Sequence, residues 1–156
     1  MERTLVILKP DAIQRGLIGT VLARFEAKGL QVVGLKMARI ERALAERHYA
    51  PHKGKAFYEP LIQFMTSGPV VFLALEGKGA IAVVRKMMGA TFGPNAEPGT
   101  LRGDLAVSNR FNLVHGSDSP EAAAFELGLF FRPEELIDWR PAGQGWVYDL
   151  SAGEPV

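Results

Sequence analysis

His115 lies in the stretch Asn112-Leu113-Val114-His115-Gly116-Ser117-Asp118-Ser119. The apolar run from Phe111 to Val114 reads as a strand that delivers the imidazole to a turn. Gly116 removes the steric bar to a tight turn, and Ser117, Asp118 and Ser119 are helix N-cap types. Pro120 suits the first helical position and Glu121 the positive end of the helix dipole. A titratable ring is thereby set beside backbone N–H donors and hydroxyls. That arrangement suits an imidazole that attacks, or accepts, a phosphoryl group. The same pattern also describes a plain turn histidine at a helix cap. Asn112 and His115 are three apart and would face opposite sides of a regular strand. If both serve one site, the strand must end or twist between them.

Other groups have chemistry to offer. Lys9 ends an apolar strand in the parity of Leu5 and Ile7, and there it can meet a phosphate as a point charge or stay solvated. Arg85 falls near a helix C-terminus, where a cation is favoured in any case. Arg102 stands between Gly99-Thr100 and Gly103-Asp104, placed for bidentate phosphate contact or for a salt bridge to Asp104. Thr91 can give a hydroxyl to a phosphate or satisfy a turn. Phe57 and Leu61 share a helix face and can clamp a flat base or fill a core. Tyr49 has the same two readings. Glu126 lies about two turns into a helix that starts near Ser119. It can hold the imidazole by a hydrogen bond, or be an exposed helical carboxylate. His48 and His52 stand among Lys53 and Lys55 with no carboxylate or Cys at ligand spacing, so they read as solvated.

These groups need a frame. The chain has 156 residues with net charge +1, no Cys, 47% hydrophobic and 22% charged residues. One domain with a real core is expected. The charge balance gives no field for nucleic acid or a membrane surface. The lack of Cys rules out a disulfide framework or thiolate metal site and fits the cytoplasm. The apolar run after Met1-Glu2-Arg3 is too short for a signal peptide or a spanning helix. Strands are expected over Thr4–Leu8, Gln31–Ile40, Val70–Leu75 and Phe111–Val114. Helices are expected around Ile18–Phe25, Ala43–Tyr49, Phe57–Met65, Ala80–Met87 and Ser119–Leu129. Ala90 to Val107 has no clear period and reads as a long functional loop. Four strands alternating with helices fit an α/β (α+β) fold, a ferredoxin-like βαββαβ antiparallel sheet covered by helices. A small flavodoxin-like sheet is the alternative.

The chain resembles the nucleoside diphosphate kinases over nearly its whole length. The resemblance rests on Leu8-Lys9-Pro10-Asp11-Ala12 with Gln14-Arg15-Gly16-Leu17-Ile18-Gly19, on His48-Tyr49, on Pro98-Gly99-Thr100-Leu101-Arg102-Gly103-Asp104, and on Asn112-x-x-His115-Gly116-Ser117-Asp118-Ser119. It implies a ferredoxin-like fold and transfer of the γ-phosphate of a nucleoside triphosphate to a nucleoside diphosphate. It further implies a ping-pong mechanism through a phosphohistidine, Mg²⁺ on the nucleotide, and broad base specificity. By the resemblance His115 is the phosphorylated nucleophile, and Lys9, Tyr49, Arg85, Thr91, Arg102 and Asn112 bind phosphate and sugar. Phe57 and Leu61 would clamp the base, Ser117 and Glu126 would orient the histidine, and Asp118 would hold the metal through water. Two departures stand out. Thr91 is followed by Phe92-Gly93-Pro94 where the family has Asn-Pro, and Asn109 falls where an aliphatic residue touches the base. A ferredoxin-like nucleotide-binding or regulatory module without turnover is the alternative function. The tail at about 139–156 carries Trp139, Trp146 and Tyr148 among Pro141, Gly143 and Gly145. Such aromatics favour burial at an interface. With the family's habit of assembly, they imply a homo-oligomer, a hexamer ahead of a tetramer.

Overall fold

The computed structural model describes every residue from Met1 to Val156. Strand β1 (Glu2–Leu8) is apolar in its last four positions and buried on both faces, as a run without alternation requires. It lies inside a four-stranded sheet of order β2-β3-β1-β4. The other strands are β2 (Gln31–Arg39), β3 (Pro69–Gly77) and β4 (Val114–Gly116). Every neighbouring pair is antiparallel. That is the ferredoxin-like plan; a flavodoxin-like sheet needs parallel neighbours and is overturned. β2 and β3 are sheet neighbours joined by helices rather than a hairpin, which is why no hairpin signal is visible between them.

Seven helices cover the sheet: α1 (Pro10–Gln14), α2 (Ile18–Ala27), α3 (Arg42–His48), α4 (Tyr58–Met65), α5 (Ala80–Met88), α6 (Leu101–Leu105) and α7 (Pro120–Phe130). The pleat sends Val6 and Leu8 to one face, where they meet Val21, Phe25, Val84, Met88 and Leu101. Leu5 and Ile7 go to the other face, against Ala45, Ile62, Met65, Phe130 and Phe131. α7 begins as its residues dictate: the Ser119 side chain accepts the Ala122 N–H at 3.1 Å, and Pro120 fills the first turn.

One expectation is extended and two are corrected. Lys9-Pro10-Asp11 ends β1 but also opens α1, with Lys9 at the N-cap and Pro10 in the first turn. The stretch from Ala90 to Val107 is not free of structure. It holds a 3₁₀ turn at Gly93–Asn95 and helix α6, whose Thr100 cap accepts the Gly103 N–H at 3.0 Å. The fourth strand is Val114–Gly116 and not Phe111–Val114. Phe111 is half-exposed, and Leu113 has a backbone angle no ladder tolerates.

The tail returns in part to its own subunit. Ile137 N–H donates to the Val33 carbonyl at 2.8 Å, and Trp139 Nε1 donates to the Val32 carbonyl at 3.0 Å. The Tyr148 hydroxyl accepts the Lys78 N–H at 3.1 Å. Trp146 stays 96% exposed.

Candidate active site

His115 sits within β4, directly opposite Ile7 of β1. It is not on a turn beyond the strand. Facing residues of an antiparallel pair share a side of the sheet, so the ring joins the layer under α3 and α7. Gly116 is in the strand too. A Cβ there would come within 2.6 Å of Met88 Sδ, so glycine is needed for the close approach of α5, not for a turn. The strand breaks at Leu113, whose φ is +72°. The Val114 N–H reaches back to the Asn112 carbonyl at 2.8 Å, closing a γ-turn. A non-glycine residue held there costs about 1–3 kcal/mol. This break is what lets Asn112 and His115 work at the same end of β1.

The turn is held from three sides. The Lys9 N–H donates to the Leu113 carbonyl at 2.8 Å, and the Leu113 N–H donates to Asp11 Oδ2 at 3.1 Å. The Arg102 guanidinium donates to the carbonyls of Asn112 (3.1 Å), Gly89 (3.1 Å) and Val114 (2.7 Å). Arg102 is therefore a buried residue of α6, not a loop residue. It is not bridged to Asp104, whose carboxylate pairs with Arg24 at 3.1 Å.

Three cations gather beside the turn. Lys9 Nζ donates to Asn112 Oδ1 at 2.8 Å, and Asn112 Nδ2 donates to the Thr91 carbonyl at 2.8 Å. Arg85, exposed on α5, donates to the Gly116 carbonyl at 3.4 Å. Burial, then the charge of Arg102, lowers the Lys9 ammonium to about 8 against the pull of Asp11. Burial, then the charge of Arg85, lowers Arg102 to about 10. No ion pair of the structure includes any of the three. Cations that crowd without carboxylates make a site for an anion.

Against the imidazole stands Glu126, buried on α7. Its Oε2 lies 2.5 Å from His115 Nε2. The same oxygen takes a second hydrogen bond, from Nε2 of His48 at the end of α3. Burial works to raise the Glu126 carboxyl. The hydrogen bonds from His115 and His48 outweigh it and hold the group far below its usual range. For His115, burial prevails over Glu126 and keeps the imidazole below its ordinary value. With Nε2 committed as donor, a neutral ring carries its lone pair on Nδ1; this tautomer follows from the hydrogen-bond network. His48, Glu126 and His115 stand as close together as the ligands of a cation site. At 2.5 Å the pair stands in hydrogen-bond contact, closer than the about 3.3 Å between ligands of one tetrahedral metal.

His48 corrects the sequence reading. It is buried rather than solvated, and its carboxylate partner comes from a helix far along the chain. A local signal existed: Ala45, His48 and Tyr49 fall on one face of α3, and all three are buried. His52 is half-buried, and its ring stacks near Tyr49.

The remaining residues divide. Phe57 leads into α4 and is 50% exposed, with the Lys55 ammonium 5.6 Å from its ring centroid. Leu61, one turn on, is half-buried. Tyr49 is buried, its hydroxyl without a partner. Burial, then the charge of Glu126, pushes that hydroxyl up. The Ser117 hydroxyl accepts the Leu5 N–H at 3.3 Å and makes no bond to His115. Thr91, Asn109 and Asp118 are exposed.

The sequence profile of the nucleoside diphosphate kinases matches residues 2–136. The chain belongs to the nucleoside diphosphate kinase family. A nucleoside diphosphate kinase of Thermomicrobium roseum is 57% identical over 147 residues, 94% of this chain and 99% of that protein. One of Thermosynechococcus vestitus is 55% identical over 96% of this chain and 100% of the relative. Among solved structures, a halophilic nucleoside diphosphate kinase from Halobacterium salinarum in complex with CDP superposes with a TM-score of 0.93. It is 48% identical, over 95% of this chain and 99% of that one. This family membership supports the ferredoxin-like reading of the sheet and gives the anion site beside His115 a chemical context.

Proposed function

We propose that this chain is a nucleoside diphosphate kinase that moves a phosphoryl group by way of His115. The observation that carries the reading is the arrangement around that ring. Nε2 is tied to Glu126, Nδ1 is free, and Lys9, Arg85 and Arg102 stand near with none of them in an ion pair. Nδ1 attacks the γ-phosphorus of the triphosphate, the bond to the bridging oxygen breaks, and the diphosphate leaves. The ring gains positive charge as the N–P bond forms, and the Glu126 carboxylate answers it. In the return step a β-phosphate oxygen of the second diphosphate attacks phosphorus and the N–P bond breaks. Such a transfer asks mainly for in-line positioning and neutralised oxygens. The Arg102 donors left over from its carbonyls, with Lys9, Arg85, Asn112, Thr91 and Tyr49, are the groups for phosphate and sugar.

Mg²⁺ fits this site as a companion of the nucleotide. The ion keeps its waters and needs few protein ligands, and Asp118 offers one exposed carboxylate at the entry to α7. Bound there, it supplies charge neutralisation of the phosphate oxygens. Phe57 and Leu61 present a flat apolar grip, which every base satisfies, so specificity is broad. Turnover of the common diphosphates should then lie within a narrow range. A preference of about 10⁴-fold for one base requires buried hydrogen-bond readout and would refute the grip.

We read residues 1–156 as one such unit with a tail at about 139–156, assembled as a homo-oligomer with a hexamer ahead of a tetramer. Exposed Leu35 and Met37 on β2, Ile137 and Trp146 support assembly. No helix is long and apolar enough to cross a membrane. The cytoplasm remains the expected compartment for its nucleotide substrates.

Brief incubation with γ-labelled ATP and Mg²⁺, followed by peptide mapping, tests the central reading. One acid-labile phosphate on the His115 peptide is expected. A chain that binds ATP yet retains no label would be a non-catalytic module.

A further inference from the structure

We propose that His48 is a positioning residue of phosphoryl transfer, which holds the Glu126 carboxylate and competes with His115 for its Oε2. The inference rests on His115 being the nucleophile. Nothing in the resemblance assigns His48 a part, and its place on the chain gives no hint of Glu126.

The geometry argues for more than filling. The His48 ring is walled by aromatic neighbours. Tyr49 lies 4.3 Å away between centroids, Phe130 5.1 Å edge-on, and His115 4.8 Å edge-on at 89°. Its Nδ1 is buried without a partner. The one polar exit is Nε2, and it goes to Glu126. The second carboxylate oxygen, Oε1, is also buried without a partner. Both histidines therefore converge on one oxygen, while the other has only the nearby Ser117 hydroxyl to turn to. Without His48, the carboxylate would be held by His115 and the weaker pull of the Ser117 hydroxyl, and could turn Oε1 or Oε2 toward the ring. Two donors on one oxygen fix which atom faces the nucleophile, and from which direction.

Sharing also weakens each bond. An oxygen already accepting from His48 draws less on the His115 N–H, so the ring is less inclined to take a proton on Nδ1. A protonated Nδ1 cannot attack phosphorus. Around His115 stand Glu126 from α7 and His48 from the end of α3, both against the ring, and Lys9 from the end of β1; Tyr49 lies behind His48, and Arg85 of α5 reaches the next carbonyl, Gly116. Among them only Glu126 favours the imidazolium; burial opposes it most, then His48 and Lys9, and of these His48 alone shares the Glu126 oxygen. Loss of His48 should let Glu126 act undivided and carry the protonation of His115 to higher pH.

The experiment pairs two variants with a measurement on the unaltered protein. His48→Phe keeps the bulk and removes the donor. His48→Gln keeps an N–H within reach of Glu126. The rate of phosphoenzyme formation from MgATP is followed against pH for all three proteins. The acid limb of kcat/KM should move up by about one pH unit in His48→Phe, and stay close to that of the unaltered protein in His48→Gln. A uniform fall in rate with an unmoved limb would mean that His48 only packs, and would overturn the proposal. The chain has three histidines, so nitrogen-15 histidine spectra of the unaltered protein resolve each ring even if His48→Phe does not fold. Protons on Nε2 of both His48 and His115 are expected. A proton on Nδ1 of His48 would overturn the proposal as well. Absence of label on His115 in the unaltered protein would sink the nucleophile assignment, a separate result from either of these.

Discussion

At one edge of the sheet β4 offers three residues to β1 and breaks at Leu113; at the other β2 runs nine residues along β3. The short edge is bound by side chains and a backbone amide from elsewhere: Asp11, the Lys9 amide and Arg102 satisfy the polar groups around the break. The long edge is nearly regular, with one irregularity between Val32 and Gly34. The segment from Ile137 to Trp139 covers its first half, and Leu35 and Met37 are left in the open. An open apolar edge is a surface that proteins pair or protect. The contrast teaches that irregular backbone and the proposed chemistry share one edge, and regular backbone and the proposed assembly surface the other.

The contrast can be broken first at the nucleophile. His115→Ala should lose about 10⁴-fold or more of transfer while keeping its oligomeric mass. Near-normal exchange, in protein shown free of host enzyme, would place the chemistry elsewhere. Arg102→Ala comes next. One missing preorganised donor predicts a loss of about 10²-fold in kcat and kcat/KM together. Because three carbonyls lose their donor, stability should also fall, by about 2–4 kcal/mol. Arg102→Lys should repair neither, since an ammonium cannot reproduce a planar fork. An unchanged melting temperature would show that the clasp on Gly89, Asn112 and Val114 is idle.

A gentler strain on the same edge is pH. Burial and Arg102 hold the Lys9 ammonium down at about 8, so KM for the nucleotide should climb above that pH. In acid, two depressed groups act in sequence. His115 is lowered, so below about 6.5 the unfolded chain takes up a proton first and stability begins to fall. Glu126 is lowered too, and its contribution, whole above about 4.3, is lost as pH drops further. Thermal melts of the protein and of Glu126→Gln should differ in that second window; parallel curves would deny Glu126 its role. The smallest effect on turnover belongs to the far edge. A Leu35→Lys, Met37→Lys double variant should reduce the mass seen by light scattering, with turnover per chain within about threefold. A native assembly of about 17 kDa at micromolar concentration would rule out the oligomer itself.

The sheet was legible because β1 and β3 carry unbroken apolar runs and because α7 carries its own start signals in Ser119, Pro120 and Glu121. The pairing of His115 with Glu126 could be read because Glu126 lies about two turns into the helix that follows the histidine. What stayed hidden depends on chain segments meeting from afar. His48 finds Glu126 only after α3 and α7 pack on the same face. Leu113 carries no mark of a positive φ, since its conformation is imposed by Asp11, Lys9 and Arg102. Gly116 reads as a turn residue in the sequence because the approach of Met88 has no local trace.

The imposed conformation of Leu113 bears on portability. The eight residues from Asn112 to Ser119 are the easiest part of this molecule to spot, and they invite transplantation onto another strand end. Moved alone, the peptide would leave behind the Lys9 amide, the Asp11 carboxylate and the Arg102 fork that make it bend. A graft would relax into an ordinary extended strand, turning Asn112 away from the imidazole. A designer who wants the histidine must carry over the opening of α1 and the start of α6 as well, three pieces that a linear alignment never places side by side.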